Sequence, residues 1–372
     1  MKLVIVLPEW EYFSPLNSGP IARIIFENYH YLKEHVDMTI FCRPSSKHWS
    51  KNLPVQHMWA PVFIPAVKKI PWVRRFWRQF FALEAAPRIT RGYKIVWIHN
   101  ETDYVPIIRK LNPDVKIVLH LHSHSLYELD EPHFDQVLSG VDLVVSVSEY
   151  IRKGIVERCP SAASKVRVVH NGVNIVKFTP LFTTDKQEHP VILYVGRVIE
   201  RKGVHLLMQA MERVITQFPQ SKLIIVGSRL FGDNSETPYI KMLKQESAKL
   251  GDSIVFTGYV QKDDLPAIYQ KATVFVCPSN WGEPFGLTNL EAMASGLPVI
   301  AAKRGGIPEA VGDAGMLIDP EDIDSLADSI IQLLGDSQLR ASLGHKARKR
   351  VEEQFTWQRM ASEMRAILEE LT

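Results

Sequence analysis

The sequence is short of cysteine, with three residues in 372. Cys42, Cys159 and Cys277 lie far apart, are odd in number and form no Cys-x-x-Cys pair. Their spacing therefore supports neither a disulfide framework nor a structural zinc site, and it is typical of a protein in a reducing compartment.

An excess of charge of one sign is also absent. The chain has 44 Lys and Arg against 41 Asp and Glu, which gives a net charge of +3. This balance argues against a protein that coats nucleic acid along its length, and we expect no nucleic-acid partner. Hydrophobic residues at 46% and charged residues at 23% exclude a mostly disordered chain.

Long hydrophobic runs are missing as well, since none reaches the about 18 apolar residues of a membrane span. The N-terminal run covers residues 3–7 and ends at Pro8, with no small-residue cleavage site close behind. It predicts a buried strand and no export signal, so we expect a cytoplasmic protein, soluble or peripheral to a membrane. No Gly-x-Gly-x-x-Gly fingerprint follows any apolar run, which disfavours a hydride-transfer enzyme.

What the sequence does contain is a series of short, continuous apolar runs separated by helical patterns. Continuous runs are typical of parallel strands covered on both faces, and their alternation with helices predicts βαβ units in doubly wound sheets. Twelve strands are predicted, at residues 3–7, 38–42, 95–98, 116–120, 143–147, 166–169, 191–195, 223–226, 254–256, 274–276, 298–301 and 316–318.

This number of strands exceeds one open sheet of ordinary size, and a polar, proline-flanked stretch at residues 178–190 divides the set. The predicted fold class is therefore α/β, with two Rossmann-like doubly wound parallel-sheet domains that face a cleft. We place the domains at residues 1–175 and 176–355, which agrees with about 150 residues per domain.

A C-terminal amphipathic helix is predicted over residues 356–372. Its apolar face carries Trp357, Met360, Met364 and Leu368. We expect this helix to pack back on the first domain.

The strongest chemical signal is a pair of carboxylates eight residues apart, Glu283 and Glu291. They follow a predicted strand, and Gly286 between them opens a predicted helix whose free backbone N–H groups can bind a phosphate. Glu291 lies about one turn into that helix, where it can accept hydrogen bonds from vicinal hydroxyls such as those of a ribose. The alternative is one acid that caps the helix and a second acid on its solvated face.

A second signal is the pair Arg197 and Lys202, which directly follows the strand predicted at 191–195. Two cations in a glycine-bounded turn suit a diphosphate, because Arg forms a fork to two oxygens and Lys supplies a point charge. A solvated basic loop is the alternative. A third signal is Gly19, which offers a backbone approach to a ligand before the helix predicted at 21–33, with Pro20 at its start.

Three histidines, His120, His122 and His124, alternate along the chain from the end of the strand predicted at 116–120. Alternation along an extended chain places the three imidazoles on one side. A zinc site needs further ligands, and no nearby Asp, Glu or Cys has the spacing, so we expect no metal here. We expect one histidine to contact a polar substrate and another to be structural.

These motifs resemble those of the retaining glycosyltransferases of family 4, which have the two-domain GT-B fold. The stretch from Glu283 to Glu291 is similar to the family's Glu-x7-Glu motif, and Arg197 and Lys202 are similar to its diphosphate-binding pair. Weaker similarities at residues 145–149, 169–174 and 303–309 run in the family's order and extend the resemblance over nearly the whole chain. Pro20 departs from the pattern, because it stands where the family usually has a second glycine and it removes one backbone donor.

The resemblance implies that the enzyme transfers a hexose or N-acetylhexosamine from a nucleoside diphosphate to a hydroxyl, with retention of the anomeric configuration. UDP is expected from its frequency in the family. A glycan or lipid-linked acceptor in cell-envelope, exopolysaccharide or spore-coat synthesis is implied, and with it a place in the cytoplasm, at the inner face of the membrane or in the spore coat. A binding protein that has lost catalysis, and a sugar-nucleotide epimerase, remain alternatives.

The resemblance also assigns roles in the second domain. Glu291 holds the ribose, Glu283 holds hydroxyls of the donor sugar, and Arg197 and Lys202 hold the diphosphate. No metal and no cofactor are implied, since these two cations and a helix N-terminus can neutralise the departing diphosphate. Backbone amides meet the sugar and the diphosphate at Phe285, Gly286 and Leu287.

Further roles fall on three other positions. Gly19 approaches the diphosphate from the first domain, and backbone near Val260 meets the base. His122 is placed near the reacting sugar, with His120 as the alternative. The implied catalytic residues are Glu283, His122, Arg197 and Lys202.

A basic, aromatic segment spans residues 68–94. It has eight Lys and Arg and a single acid, Glu84, and its aromatic residues recur at three- and four-residue spacing. Such a segment can lie on an anionic membrane surface or line a groove for an anionic or lipid-linked acceptor. The alternative is a helix that packs its aromatic stripe into the core of the first domain and leaves its basic face in water.

Overall fold

The computed structural model describes residues 1–13, 19–44, 53–58, 71–90, 92–181, 189–230 and 235–372. Within these ranges the chain forms two compact units. The first comprises Met1–His170 and Trp357–Thr372, and the second comprises Asn171–Thr356. Residues 182–188 of the predicted linker lie outside the described residues.

The first unit is built on a parallel sheet of seven strands. They are β1 (Lys2–Val6), β2 (Asp37–Cys42), β3 (Val55–His57), β4 (Ile95–His99), β5 (Lys116–Leu121), β6 (Leu143–Ser146) and β7 (Val166–Val168). Their order in the sheet is β3-β2-β1-β4-β5-β6-β7, and every pairing is parallel. The order reverses between β1 and β4, so the carboxyl ends of these strands are the place for a ligand.

Five helices connect these strands. They are α1 (Pro20–Leu32), α2 (Pro71–Ile89), α3 (Tyr104–Leu111), α4 (Glu131–Gly140) and α5 (Glu149–Arg158). Local capping explains where two of them begin, because the side chains of Asp130 and Ser148 accept hydrogen bonds from first-turn backbone N–H groups of α4 and α5.

The second unit has a parallel sheet of six strands. They are β8 (Val191–Val195), β9 (Lys222–Val226), β10 (Ile254–Gly258), β11 (Val274–Cys277), β12 (Val299–Ala302) and β13 (Met316–Ile318), in the order β10-β9-β8-β11-β12-β13. Its helices are α6 (Val204–Gln217), α7 (Pro238–Ser247), α8 (Leu265–Gln270), α9 (Leu287–Ala294), α10 (Ile307–Val311), α11 (Ile323–Gly335) and α12 (Ser337–Gln354). Here the strand order reverses between β8 and β11.

The last helix, α13 (Trp357–Glu370), packs against α1 and belongs to the first unit. The apolar face predicted for it is confirmed, since Trp357, Met360, Met364 and Leu368 are all buried. Among the described residues, no helix combines the length and the apolar character needed to cross a membrane.

The prediction of α/β architecture with two parallel sheets is confirmed, and all twelve predicted strands are present within two residues of their predicted ends. The sequence analysis missed β3, which is three residues long and contains one strongly apolar residue, Val55. Its strand conformation depends on pairing with Ile40, Phe41 and Cys42 of β2, and such long-range pairing leaves no signal in a short run.

Candidate active site

In the second unit, the residues predicted to bind the donor meet where the sheet reverses its strand order. Strands β8 and β11 pair side by side at this point. Arg197 and Lys202 follow β8, and Glu283 follows β11. The carboxyl ends of neighbouring parallel strands therefore bring together three ionisable side chains that are far apart in sequence, at the position where open α/β sheets bind ligands.

Three donors converge on one oxygen of Glu283, a residue only 5% exposed. Lys202 Nζ pairs with its Oε1, which also accepts from Ser279 Oγ at 2.9 Å and from Trp281 Nε1 at 2.8 Å. Burial alone would raise the pKa of Glu283, but the positive charge of Lys202 and these hydrogen bonds outweigh it and hold the pKa below its ordinary value. Glu283 Oε2 accepts no hydrogen bond from the described residues, so this oxygen is available to a ligand hydroxyl.

Arg197 is a half-buried cation that forms no ion pair with the described acidic residues. Burial lowers the pKa of its guanidinium, and the like charge of Arg201 lowers it further, against the opposing influence of Glu283. The Tyr194 hydroxyl fixes the local turn by donating to the Arg197 carbonyl oxygen at 2.7 Å. A cation held partly out of water without a direct ion pair is suited to bind an anion.

Two glycines let the loops of this site approach each other. Gly203 has a φ of +71°, and a Cβ there would lie 1.9 Å from the carbonyl oxygen of Pro278. Gly305 has a φ of +60°, and a Cβ there would lie 2.3 Å from the carbonyl oxygen of Glu283. Both positions therefore need glycine for conformation and for space.

Glu291 lies in α9, and Tyr269 at the end of α8 orients it. Tyr269 Oη donates to Glu291 Oε2 at 2.9 Å. Burial raises the pKa of Tyr269 well above its ordinary value, and the negative charge of Glu291 raises it further. The phenol therefore stays protonated and acts as a fixed donor to Glu291.

The loop before α9 leaves the first turn of the helix without a side-chain cap among the described residues. Gly286, with a φ of +92°, precedes Leu287, and no described side chain caps the first turn of α9. The Phe285 ring is buried against Phe355 with the ring centres 5.7 Å apart, so only its backbone can meet a ligand. In the same turn, the side-chain amide of the fully buried Asn289 finds no hydrogen-bond partner among the described residues.

The backbone expected to meet the base lies at the ends of β9 and β10. The Gly227 N–H donates to the Gly258 carbonyl oxygen at 2.8 Å, which joins the two strand exits. Val260 follows two residues later and is half-buried. The structure thus places Val260 on the same edge of the sheet as Arg197.

In the first unit, Gly19 precedes α1, as predicted, and a carboxylate lies beside it. Glu11 Oε2 accepts a hydrogen bond from the Ala22 backbone N–H at 2.6 Å, and a Cβ on Gly19 would lie 2.6 Å from Glu11 Oε1. The sequence analysis missed Glu11, which belongs to no helical pattern. This N-terminus of α1 therefore already holds a negative charge that belongs to the chain.

The histidines of the first unit form a different group from the one predicted. His120 is fully buried, and its ring is stacked with those of Trp97 and His122, with ring centres 5.8 Å and 4.3 Å apart. His124 instead packs on Tyr127 and Tyr150 and pairs with Glu128. The expectation that all three rings share one side is wrong for His124, because β5 ends at Leu121 and the alternation ends with it.

His99 takes the third place in this cluster, which we call the histidine cluster (His99, His120 and His122). It comes from the end of β4, in register with His120 on β5. The ring nitrogens that the three residues offer lie within 4.8 Å of one another, so within the described part of the chain they are a group that could hold a metal ion. The sequence carried a hint of this, because β4 and β5 were predicted as strands and His99 directly follows the predicted β4.

The basic segment 68–94 is helical over α2, and three of its arginines are engaged within the first unit. Arg78 Nε lies 3.0 Å from a Glu101 carboxylate oxygen and 3.7 Å from one of Glu9. Arg75 bonds to His133 at 2.6 Å, and Arg88 pairs with Glu84 at 2.8 Å. Part of the basic face of α2 is therefore paired with other residues of the same chain.

The aromatic stripe of α2 is divided between the core and the surface. Val73 and Phe81 are buried, whereas Phe76 is 54% exposed. Lys68, Lys69 and Arg91 lie outside the described residues. The alternative of a helix packed into the core thus explains the buried residues of the stripe and leaves Phe76 unexplained.

Comparison with known proteins finds a glycosyltransferase family in each half of the chain. Residues 21–177 match the family described as Glycosyltransferase Family 4, and residues 182–350 match the one described as Glycosyl transferases group 1. The spore coat protein SA of Bacillus subtilis (strain 168) is 33% identical over 295 residues, which cover 74% of this chain and 78% of that protein.

Two solved structures share the fold at low sequence identity. Sucrose-phosphate synthase from Thermosynechococcus elongatus has a TM-score of 0.83 at 23% identity, covering 100% of this chain and 99% of that one. HepE from Anabaena, solved in complex with UDP and glucose, has a TM-score of 0.74 at 21% identity, covering 98% and 99%.

Two Rossmann-like parallel-sheet units, with acids and cations at a strand-order reversal, have the GT-B fold. The family matches in both halves identify the class as the glycosyltransferases. The chain belongs to glycosyltransferase family 4. The resemblance found in the sequence motifs is thereby confirmed.

Proposed function

We propose that this glycosyltransferase transfers a sugar from a nucleoside diphosphate, UDP in the first instance, to a hydroxyl of a glycan or lipid-linked acceptor with retention of configuration. The observation that carries the proposal is Arg197, a half-buried cation that forms no direct ion pair with the described acidic residues and lies in the field of Glu283, which is already paired with Lys202. A diphosphate supplies the direct anionic partner that the Arg197 guanidinium lacks.

The chemistry assigns one task to each of these groups. The bond from the anomeric carbon to the diphosphate oxygen breaks, a bond from that carbon to the acceptor oxygen forms, and the acceptor proton passes to the departing diphosphate. Arg197 and the first turn of α9 stabilise the charge that develops on the diphosphate. The Lys202 ammonium has three donors, so it can keep its bond to Glu283 and still reach a phosphate oxygen.

The sugar and the nucleoside have separate acceptors on the chain. Glu283 Oε2 is available to sugar hydroxyls, while Glu291, held by Tyr269, is suited to the ribose. The UDP and glucose bound by HepE support a uridine nucleotide, with the base near Val260. A hexose or N-acetylhexosamine is the proposed sugar, and His122 of the first unit is the proposed contact near the reacting carbon.

We further propose that transfer needs no metal and no cofactor, because Arg197, Lys202 and the first turn of α9 supply the positive charge. The likeness to spore coat protein SA supports an acceptor in cell-envelope or spore-coat glycan synthesis. Contact of residues 68–94 with the inner face of a membrane is part of this proposal, with the exposed Phe76 as its support. Flotation with anionic liposomes tests it, and a Phe76→Ser variant should float less.

The deciding experiment is a mass-spectrometric screen of nucleotide sugars for donor loss, combined with thermal shifts from nucleoside diphosphates. A ligand at 100 times its Kd stabilises a protein by about 2.7 kcal/mol. We expect UDP to raise Tm in the native protein and in Arg213→Ala, whose exposed arginine pairs with Asp324 and Asp328. Arg197→Gln should abolish most of this shift.

The outcomes separate the three candidate functions. Donor loss with transfer to an acceptor or to water, and its removal by Glu283→Gln, supports the transferase. Binding without turnover identifies a binding protein, and a changed sugar on an intact nucleotide identifies an epimerase. Absence of any nucleoside-diphosphate shift at millimolar concentration contradicts the proposal as a whole.

A further inference from the structure

A tryptophan in the loop after β11 lies between an arginine and the buried carboxylate of Glu283. The Trp281 indole Nε1–H donates to Glu283 Oε1 at 2.8 Å. The guanidinium carbon of Arg201 lies 3.9 Å from the centre of the Trp281 ring, which is well within the range of a cation–π contact. Trp281 therefore joins the loop after β8, which carries Arg201, to the carboxylate of Glu283.

Main-chain hydrogen bonds on both sides of Trp281 limit how far its ring can move. The Asn280 N–H donates to the Arg201 carbonyl oxygen at 3.2 Å, so the loops after β8 and β11 are also joined through their backbones. On the other side, the Gly306 N–H donates to the Glu283 carbonyl oxygen at 2.7 Å. The indole ring is thus anchored at its backbone and stacked by the guanidinium.

The three donors to Glu283 Oε1 differ in how firmly they fix its direction. The Lys202 ammonium has three donors on a flexible chain, and the Ser279 hydroxyl can rotate, so both can follow the carboxylate if it turns. The indole N–H has a single direction, which lies in the plane of its ring. Trp281 is therefore the donor best able to hold the carboxylate in one orientation.

We propose that Trp281 is a positioning residue for Glu283, and that Arg201 holds Trp281 in place by stacking on its ring. Because Trp281 fixes Oε1, the second oxygen of Glu283, which accepts no hydrogen bond from the described residues, is presented to a sugar hydroxyl in one direction. The inference rests on the proposed function for the identity of the ligand, whereas the contacts of Trp281 belong to the chain alone.

Direct binding of a phosphate by Arg201 is the alternative that the experiment has to exclude. The Arg201 side chain is exposed. If it held a phosphate, Arg201→Ala would bind a free nucleoside diphosphate more weakly than the native protein does. If it acts through Trp281 and Glu283, the same variant loses affinity for the nucleotide sugar and keeps its affinity for the free diphosphate.

Two substitutions at Trp281 separate the hydrogen bond from the bulk of the ring. Trp281→Phe keeps an aromatic ring for Arg201 and removes the donor. Trp281→His loses the six-membered ring, but its Nε2–H can take the place of the indole N–H. Measurements at about pH 8 keep this histidine neutral, since an ordinary imidazole has a pKa of about 6.5. Arg213→Ala is the control, because Arg213 is a partly exposed arginine that pairs with Asp324 and Asp328.

The direct readout is hydrogen exchange of the Trp281 indole N–H, which needs no substrate. The chain has eight tryptophans, and the Trp281 signal in a ¹H–¹⁵N spectrum is the one that disappears in Trp281→Phe. We expect this proton to exchange about 2- to 5-fold faster in Arg201→Ala, which corresponds to the strength of an exposed cation–π contact. It should also exchange faster in Glu283→Gln, whereas Arg213→Ala should match the native protein.

The second readout compares the nucleotide sugar found in the donor screen with the same nucleoside diphosphate without its sugar. Trp281→Phe should lower kcat/KM for the nucleotide sugar by about 10-fold or more, because Glu283 is no longer held in one orientation. Its affinity for the free diphosphate should stay at the native value, and an unchanged Tm shift from that ligand shows that the variant is folded. Trp281→His should recover most of the loss.

Equal losses in Trp281→Phe and Trp281→His would overturn the inference, since the bulk of the ring and not its N–H would then be needed. Equal losses for the nucleotide sugar and the free diphosphate would also overturn it, because the whole loop would then have moved. Native exchange of the indole proton in both Arg201→Ala and Glu283→Gln contradicts the proposed contacts. If the native protein consumes no nucleotide sugar, the proposed function fails, and the exchange measurement alone decides the positioning role.

Discussion

The ammonium group of Lys202 pairs with Oε1 of Glu283 across the exits of β8 and β11, 81 residues apart in the chain. The side chain of Glu283 is 7% exposed and that of Lys202 is 19% exposed, so water screens the pair only weakly. Trp281 and Ser279 donate to the same oxygen. One carboxylate thus links both loops of the candidate site through Oε1, while its Oε2 accepts no hydrogen bond from the described residues.

Replacing Glu283 by Gln should destabilise the second unit as well as inactivate the enzyme. The change leaves Lys202 without its partner in a partly dry site, and breaking a buried pair in this way costs about 3 kcal/mol or more. Urea unfolding gives the free energy directly. In the double variant with Lys202→Met, part of the loss should return, because no uncompensated charge is left. Equal stability of all variants would show that the pair contributes nothing.

The same pair predicts how stability depends on pH. The pKa of Glu283 is lower in the folded protein than its ordinary value of 4.5, so its contribution to stability is complete above 4.5 and is lost as pH falls through the folded pKa. The difference in Tm between the native protein and Glu283→Gln should be constant from pH 6 to 7. It should shrink in acid, because the protonated Glu283 and the glutamine that replaces it are then both neutral. A difference that grows in acid would have the wrong sign for this pair.

Much of this site could be predicted from the sequence because it depends on local pattern. Arg197, Lys202 and Glu283 lie in the loops that follow continuous apolar strands, and Glu291 lies in the helix after the second of these loops. The sheet topology then brings the ends of the two strands together. Tyr269 carried no such signal, since nothing local marks it as a partner of a residue 22 positions later.

The sequence analysis went wrong, or missed a residue, where a position depends on the folded chain and not on local pattern. The alternation of His120, His122 and His124 holds only while the chain is extended. Strand β5 ends at Leu121, three residues before His124. His99 joined the cluster through a register between two strands, which a sequence pattern does not contain. Trp281 lies within a motif that the sequence singled out, but its indole N–H could be assigned to Glu283 only from the folded loop.

Removing the Tyr269 hydroxyl should weaken donor binding without a large effect on the chemical step. Tyr269→Phe removes a hydrogen bond to a charged carboxylate, worth about 1.5–3 kcal/mol at most, and leaves Glu291 less well oriented. Because Glu291 is proposed to hold the ribose, the KM for the donor should rise while kcat changes little. Tyr239→Phe, which removes a hydroxyl bonded to His205 instead, is the control. A fall in kcat alone would place Glu291 elsewhere in the reaction.

Gly203 should tolerate no side chain, because it lies where the turn that carries Lys202 meets the exit of β11. A Cβ at Gly203 would lie 1.9 Å from the Pro278 carbonyl oxygen, so the backbone of one loop has to move. The movement would separate Lys202 from Glu283, and Gly203→Ala should therefore lose stability and UDP affinity together.

Gly251 is the matched control, since its φ is also positive, at +56°, but a Cβ there would meet nothing within 4 Å. Gly251→Ala should lose only the about 1–3 kcal/mol of backbone strain and keep its affinity for UDP. Urea unfolding and nucleotide titration of the two variants measure this difference, and equal losses in both would mean that strain, and not the contact with Pro278, decides the outcome at Gly203.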